Sequence, residues 1–317
     1  MKTIFSAAGL AASLILGLPG MAQTTATMTQ TGANNSASIE QEGTRERLAV
    51  ITQIGNDNIA GGEGKEGGIV QRNSRVLAFI TQRGSHNVAG VVQDNIAPHG
   101  EASIDQLGSD NVALVREQSA FTTGTEVRQE GTRNVALLSQ LYGDIGMRAR
   151  QTGADNTITI NQEQASYGGP LVEQDGVGNS ATVTLYNNGH AGSNLAQTGT
   201  LNEANITQEN SQFNRGMGIV QNGNGNRANA ASSGVGNMSL ITQTGDGNAA
   251  SLRGVVSTSE SIILQTGNLN SATISQNAVY PGGPRSDNIA RITQAGDGFV
   301  ADIAQAGSGN AGTIHQH

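Results

Sequence analysis

The side chains that recur at fixed spacing in this 317-residue chain are amides: Asn and Gln total 55. The string Gln-x-Gly-x-x-Asn begins at Gln30, Gln53, Gln82, Gln106, Gln129, Gln151, Gln174, Gln197, Gln221, Gln243 and Gln265, and returns at Gln294 with Phe299 in the Asn position. Its Asn residues are Asn35, Asn58, Asn87, Asn111, Asn134, Asn156, Asn179, Asn202, Asn226, Asn248 and Asn270. An amide transfers no proton at neutral pH, but it donates two hydrogens and accepts at its oxygen. The chemistry encoded here is hydrogen bonding in a repeated register.

Side chains suited to covalent or acid–base work show no such pattern. There is no Cys, and His86, His99, His190, His315 and His317 are scattered with no acid recurring beside them. Neither HExxH nor a nucleophile elbow occurs. No catalytic residue, metal site or cofactor is expected, and the terminal pair His315 and His317 reads as solvated. Calcium-binding nonapeptides need Gly-Gly-x-Gly-x-Asp on a nine-residue period, whereas Gly245-Asp-Gly and Gly296-Asp-Gly are isolated. A threonine row for ice binding starts at Thr29, Thr52 and Thr81 and reappears at Thr242 and Thr293. Asp105, Arg128, Arg150, Glu173, Val220 and Leu264 break it. The net charge of −8 argues against a nucleic-acid partner, which calls for a basic face.

The motif intervals are 23, 29, 24, 23, 22, 23, 23, 24, 22, 22 and 29 residues. A fixed period of this size marks a stacked repeat. The two long intervals hold the glycine-rich 61–68 and the proline-bearing 280–287, both expected to be loop insertions. Flanking residues alternate. Met28, Ile51, Ile80, Ile104, Val127, Ala149, Val172, Leu195, Ile219, Ile241, Ile263 and Ile292 each precede the Gln by two positions. Ala usually follows the Asn by two, an aliphatic residue by four and often Gln by six, as in Gln41, Gln93, Gln140, Gln162, Gln208 and Gln276. Period-2 alternation means a strand with one inward face. Each unit therefore reads as strand, tight turn, strand. Gly32, Gly55, Gly84, Gly108, Gly131, Gly153, Gly176, Gly199, Gly223, Gly245, Gly267, Gly296 and Gly307 supply the turn. A half-period is also present: Gln305-x-Gly307-x-x-Asn310 is a complete motif 11 residues after Gln294.

One such hairpin is marginal in water and gains stability only by stacking. The predicted fold is an all-β solenoid of about 12 stacked strand–turn–strand repeats, an amyloid-like cross-β rod with ~4.8 Å between layers. Inward amides of fixed type are tolerable because each can bond the amide above and below, as Asn and Gln ladders do in cross-β assemblies. The ladder and assembly residues are the motif Gln and Asn residues named above, with Gln305 and Asn310.

Residues 1–22 read as a secretory signal peptide: Lys2, an apolar stretch from Ile4 to Leu18, and small residues Gly20 and Ala22 before the expected cleavage at Gln23. Residues 23–317 then form a single repeat domain with no membrane-spanning segment.

The units resemble curlin repeats, Ser-x5-Gln-x-Gly-x-x-Asn-x-Ala-x3-Gln. Gln82 through Gln93 fit that pattern without a gap, as do Gln30–Gln41, Gln129–Gln140, Gln197–Gln208 and Gln265–Gln276. The opening Ser is clear only at Ser259, with Asn237 and Asn288 in its place elsewhere. The resemblance implies a secreted structural subunit of curli-like extracellular amyloid fibres at the bacterial cell surface, either major or minor. It implies a homopolymer, other curlin subunits and an outer-membrane secretion pore as partners, and roles in adhesion and biofilm matrix. Against it stands a monomeric β-solenoid serving as a binding surface.

Overall fold

The computed structural model describes residues 2–8, 24–43, 46–61, 67–73, 75–96, 100–121, 124–166, 168–187, 189, 192–210, 216–234, 236–255, 259–277 and 288–317. The described residues are all-β, and all their strands but the first stack in parallel as a β-solenoid. The chain divides into two compact units, residues 1–159 and 160–317.

In the first unit one sheet contains β2 (Thr24–Thr31), β4 (Arg47–Asn56), β7 (Val76–Ser85), β9 (Gly100–Ser109), β11 (Gly124–Thr132) and β13 (Arg148–Ala154), each parallel to the next. The other contains β3 (Ser36–Glu42), the short β5 (Ile59–Ala60) and β6 (Gly68–Arg72), then β8 (Val88–Asp94), β10 (Val112–Gln118) and β12 (Val135–Leu141). Strand β14 (Thr157–Glu163) runs across the division. The register is that of the motif: Gln30 lies beside Gln53, Gln53 beside Gln82, Gln82 beside Gln106.

The second unit repeats the arrangement. One sheet has β15 (Leu171–Val177), β17 (Ser193–Thr200), β19 (Gly216–Asn224), β21 (Met238–Thr244), β23 (Ser259–Thr266), β25 (Asn288–Ala295) and β27 (Ala311–Gln316). The other has β16 (Ser180–Tyr186), β18 (Glu203–Glu209), β20 (Arg227–Ser233), β22 (Ala249–Val255), β24 (Ser271–Asn277) and β26 (Val300–Ala306).

Inward positions alternate with outward ones along most strands, as in β4, β7, β12 and β21. Ile51, Ile206, Ile219 and Ile263 are fully buried, and so are Ala37, Ala89, Ala113 and Ala204 in the columns they line. A one-residue slip would turn every one of these side chains outward, so the register is set by burial. Among the described residues the buried apolar side chains are Ala, Val, Ile, Leu and Met, with no aromatic residue.

One arrangement differs from the sequence reading. Lys2–Ala8, assigned to the signal peptide outside the fold, forms β1 and pairs antiparallel with β3. The edge of β3 otherwise presents unpaired backbone groups, and an extended segment satisfies them. The expected cleavage site at Gln23, residues 62–66 of the expected 61–68 insertion and the whole of the expected 280–287 insertion lie outside the described residues. Among the described residues no helix is long and apolar enough to cross a membrane.

Candidate functional site: stacked amide columns

The motif Gln residues form one buried column in each unit. In the first, Gln30 donates from Nε2 to Gln53 Oε1 at 2.7 Å, Gln53 to Gln82 at 2.8 Å, Gln82 to Gln106 at 2.9 Å, Gln106 to Gln129 at 2.8 Å and Gln129 to Gln151 at 2.8 Å. In the second, the same bond links Gln174, Gln197, Gln221, Gln243, Gln265, Gln294 and Gln316 at 2.8–2.9 Å. The other Nε2 hydrogen goes to a backbone carbonyl across the interior, as from Gln106 to Val88 O and from Gln243 to Arg227 O, both at 3.0 Å. That second bond fixes which end of each amide is nitrogen. Every Gln–Gln bond therefore points the same way, from the lower-numbered layer to the higher.

The Asn column runs in the opposite sense. Asn111 receives at Oδ1 both the backbone N–H and the Nδ2–H of Asn134, each at 3.1 Å. The same pair of bonds joins Asn58 to Asn35, Asn87 to Asn58, Asn111 to Asn87 and Asn156 to Asn134. In the second unit it joins Asn202 to Asn179, Asn226 to Asn202 and Asn248 to Asn226. Above them, the backbone N–H of Asn270 donates to Asn248 Oδ1 at 3.0 Å. The remaining Nδ2 hydrogen reaches forward to a turn carbonyl, as from Asn111 to Gly131 O at 3.0 Å. Each inner amide of these two columns is thus held by both neighbouring layers. Leaving one such group unsatisfied costs on the order of 1–3 kcal/mol, so the layers hold each other in register.

The turn glycines stack directly on one another. Gly84 and Gly108 have φ of 121° and 120°, a region that disfavours side chains. A Cβ on either would also overlap the carbonyl oxygen of the next glycine, Gly108 or Gly131. All thirteen motif glycines named above have positive φ. The residue before each Asn is left-handed as well: Asn34, Asp57, His86, Asp110, Arg133 and Asp155 have φ between 53° and 58°. The sequence signal for it was the excess of Asn, Asp and Gly at that place, residues that tolerate the conformation.

A second amide column lines the other sheet and has faults. Gln41 donates to Gln71 at 2.8 Å, Gln71 to Gln93 at 3.1 Å, and Gln93 to Glu117 Oε2 at 3.0 Å. Gln140 follows in register. In the second unit Leu185, Gln208, Ser232, Gly254, Gln276 and Gln305 share the corresponding row, and Gln276 donates to Gln305 at 2.9 Å. The reading from sequence missed Gln71 and Gln316. Each lies 11 residues from a motif Gln, Gln82 and Gln305, and that half-period was the available signal. The half-repeat itself forms a turn bond of the same kind: Asn310 N–H donates to Asn288 Oδ1 at 2.9 Å, and Ser259 N–H to Asn237 Oδ1 at 3.1 Å.

Outward charges pair between adjacent layers. Arg133 grips Asp155 with two bonds of 2.7 Å. This holds the Asp155 carboxyl below its ordinary value and raises the Arg133 guanidinium, first by the hydrogen bond and then by charge. Arg148–Glu126, Arg227–Glu203 and Arg291–Glu260 pair similarly at 2.9–3.0 Å. His86 sits in a turn with Nε2 3.8 Å from Asp57 Oδ2, and the rings of His315 and His317 stack at 6.4 Å. His99 and His190 lie outside the described residues.

The terminal strands are the least covered. Inward Ala26 and Met28 of β2 are 7% and 8% exposed, against 0% for Ala49 and Ile51 of β4. Ala301, Ile303 and Gln305 of β26 are 6–9% exposed, against 0% for Ile274, and no inward side chain of β27 is fully buried. No protein-family model matches the chain, and no curated protein matches it.

Proposed function

We propose that the chain is a secreted structural subunit of curli-like extracellular fibres, assembling end to end with further copies of itself. The observation that carries the reading is directional: within each unit the bonds of the motif Gln column point one way and those of the motif Asn column the other. A donor-and-acceptor column of this kind can be continued by another copy in the same orientation. The terminal strands β2 and β27 leave partly uncovered inward rows where that continuation would start, and backbone pairing at ~4.8 Å would extend the sheets. Outward charges that pair within the chain keep the sides soluble and direct association to the ends. On this reading the chain leaves the cell through an outer-membrane secretion pore, meets other curlin subunits at the bacterial surface, and contributes to adhesion and biofilm matrix, as a major or a minor, nucleating subunit.

The competing reading is a monomeric β-solenoid that binds a ligand on its side. Strand β1 on the edge of β3 favours it only in a chain that keeps residues 2–8, because a covered edge opposes growth. Electron microscopy of purified residues 23–317, incubated alone, separates the two. Unbranched filaments are expected, whereas uniform short rods at every concentration would contradict self-assembly.

A further inference from the structure

Phe299 takes the Asn position in its motif, Gln294-x-Gly296-x-x-Phe299. Its backbone keeps the role of the Asn it replaces. Phe299 N–H donates to Asn270 Oδ1 at 2.9 Å, and Phe299 O accepts from Ser271 N–H at 2.7 Å. Its side chain does something else. In the rungs below, a Cβ on Gly223, Gly245 or Gly267 would first meet the carbonyl of the next turn glycine. On Gly296 it would first meet the Phe299 ring, 2.7 Å from Cε2. The ring lies over the turn where a further turn would have to seat. It also offers no Oδ1, so a further layer would find no acceptor there for the N–H and Nδ2–H that each lower Asn receives.

We propose that Phe299 is a stop on the turn column, closing this corner against a further layer supplied by a second copy of the chain. The partner is taken from the self-assembly reading. The stop follows from the ring and the missing amide. Growth at the end of the second unit must then displace the ring, while growth on β2 meets no such obstacle. Closing one corner of one end makes elongation unequal at the two ends and holds the chain soluble until a partner or a high concentration overrides it.

The test compares full-length residues 23–317 with Phe299→Asn and Phe299→Ala, by sedimentation velocity across concentrations and by elongation from fragmented seeds. Phe299→Asn restores the residue that the twelve other motifs carry, so circular dichroism and Tm should match the parent. Two regained side-chain bonds predict association or elongation roughly twenty- to hundredfold more favourable. Phe299→Ala, which removes the ring and restores no amide, should fall between. If neither variant associates more readily than the parent, the stop is overturned. If the parent grows fibres and the variants match it, only the stop fails. If the parent never associates but Phe299→Asn polymerises, the stop stands and the parent is not a self-sufficient fibre subunit.

Discussion

Gln93 donates from Nε2 to Glu117 Oε2 at 3.0 Å, and Gln140, the next residue in register, has neither amide atom hydrogen-bonded. Glu117 has no Nε2 amide group, so at this rung the column loses the amide donor that relays the bond from one layer to the next.

Replacing Glu117 by Gln should restore the relay. The new Nε2 would donate onward to Gln140 Oε1, as Gln41 does to Gln71. Satisfying buried amide atoms is worth about 1–2 kcal/mol, so Glu117→Gln should raise Tm by a few degrees. Thermal unfolding followed by circular dichroism checks this, and an unchanged or lower Tm would show that Gln140 gains nothing.

The same substitution should have different effects at two glycines, one in the turn stack and one in the second amide column. At Gly108 a methyl group would strike the carbonyl of Gly131 at a φ of 120°, so Gly108→Ala should cost about 3 kcal/mol or more. At Gly254, which stands in the second column, no described atom lies within 4 Å of an added Cβ. Gly254→Ala should leave urea stability unchanged or slightly higher. Equal losses would mean that the glycine stack is not what limits the turn.

Much of this architecture is legible in residue spacing. Alternation around Gln82 and Asn87 implies which side chains turn inward, and the recurrence of Gly84 with a left-handed neighbour implies a tight turn. The opposed senses of the Gln and Asn bonds are not legible, because they depend on rotamers and on which carbonyl each amide meets across the interior. Glu117 reads as an ordinary flanking acid until strand register places it between Gln93 and Gln140. Gln71 is hidden by the insertion that separates it from Asn58. The pairing of Lys2–Ala8 with β3 is invisible for another reason: edge satisfaction is a property of the folded sheet, with no periodic trace in the segment that supplies it.

Acid should weaken the Arg133–Asp155 clamp. The Asp155 carboxyl is held below its ordinary value, so its contribution is present above the unfolded carboxylate range and is lost as pH falls through the folded value. The raised Arg133 value puts its own loss above any working pH. Both groups are on the surface and screened by salt. The Tm difference between the parent and Asp155→Asn should be small at neutral pH, shrink in high salt and vanish in strong acid. A difference that grows on acidification would contradict the assignment.

If growth occurs at the ends, amides there matter more for elongation than amides between them. Alanine at Gln30, Asn35, Gln305 and Asn310 should slow seeded elongation more than alanine at Gln151, Asn156, Gln174 and Asn179. Elongation rates at matched monomer concentration decide it, and equal slowing would place the rate-limiting contact elsewhere.

The most direct test of self-assembly by continuation of the amide columns is fibre diffraction from residues 23–317 incubated alone in dilute buffer. A meridional reflection near ~4.7 Å from aligned, unseeded fibres is predicted. A lasting soluble β-rich monomer that yields no oriented fibre would contradict it.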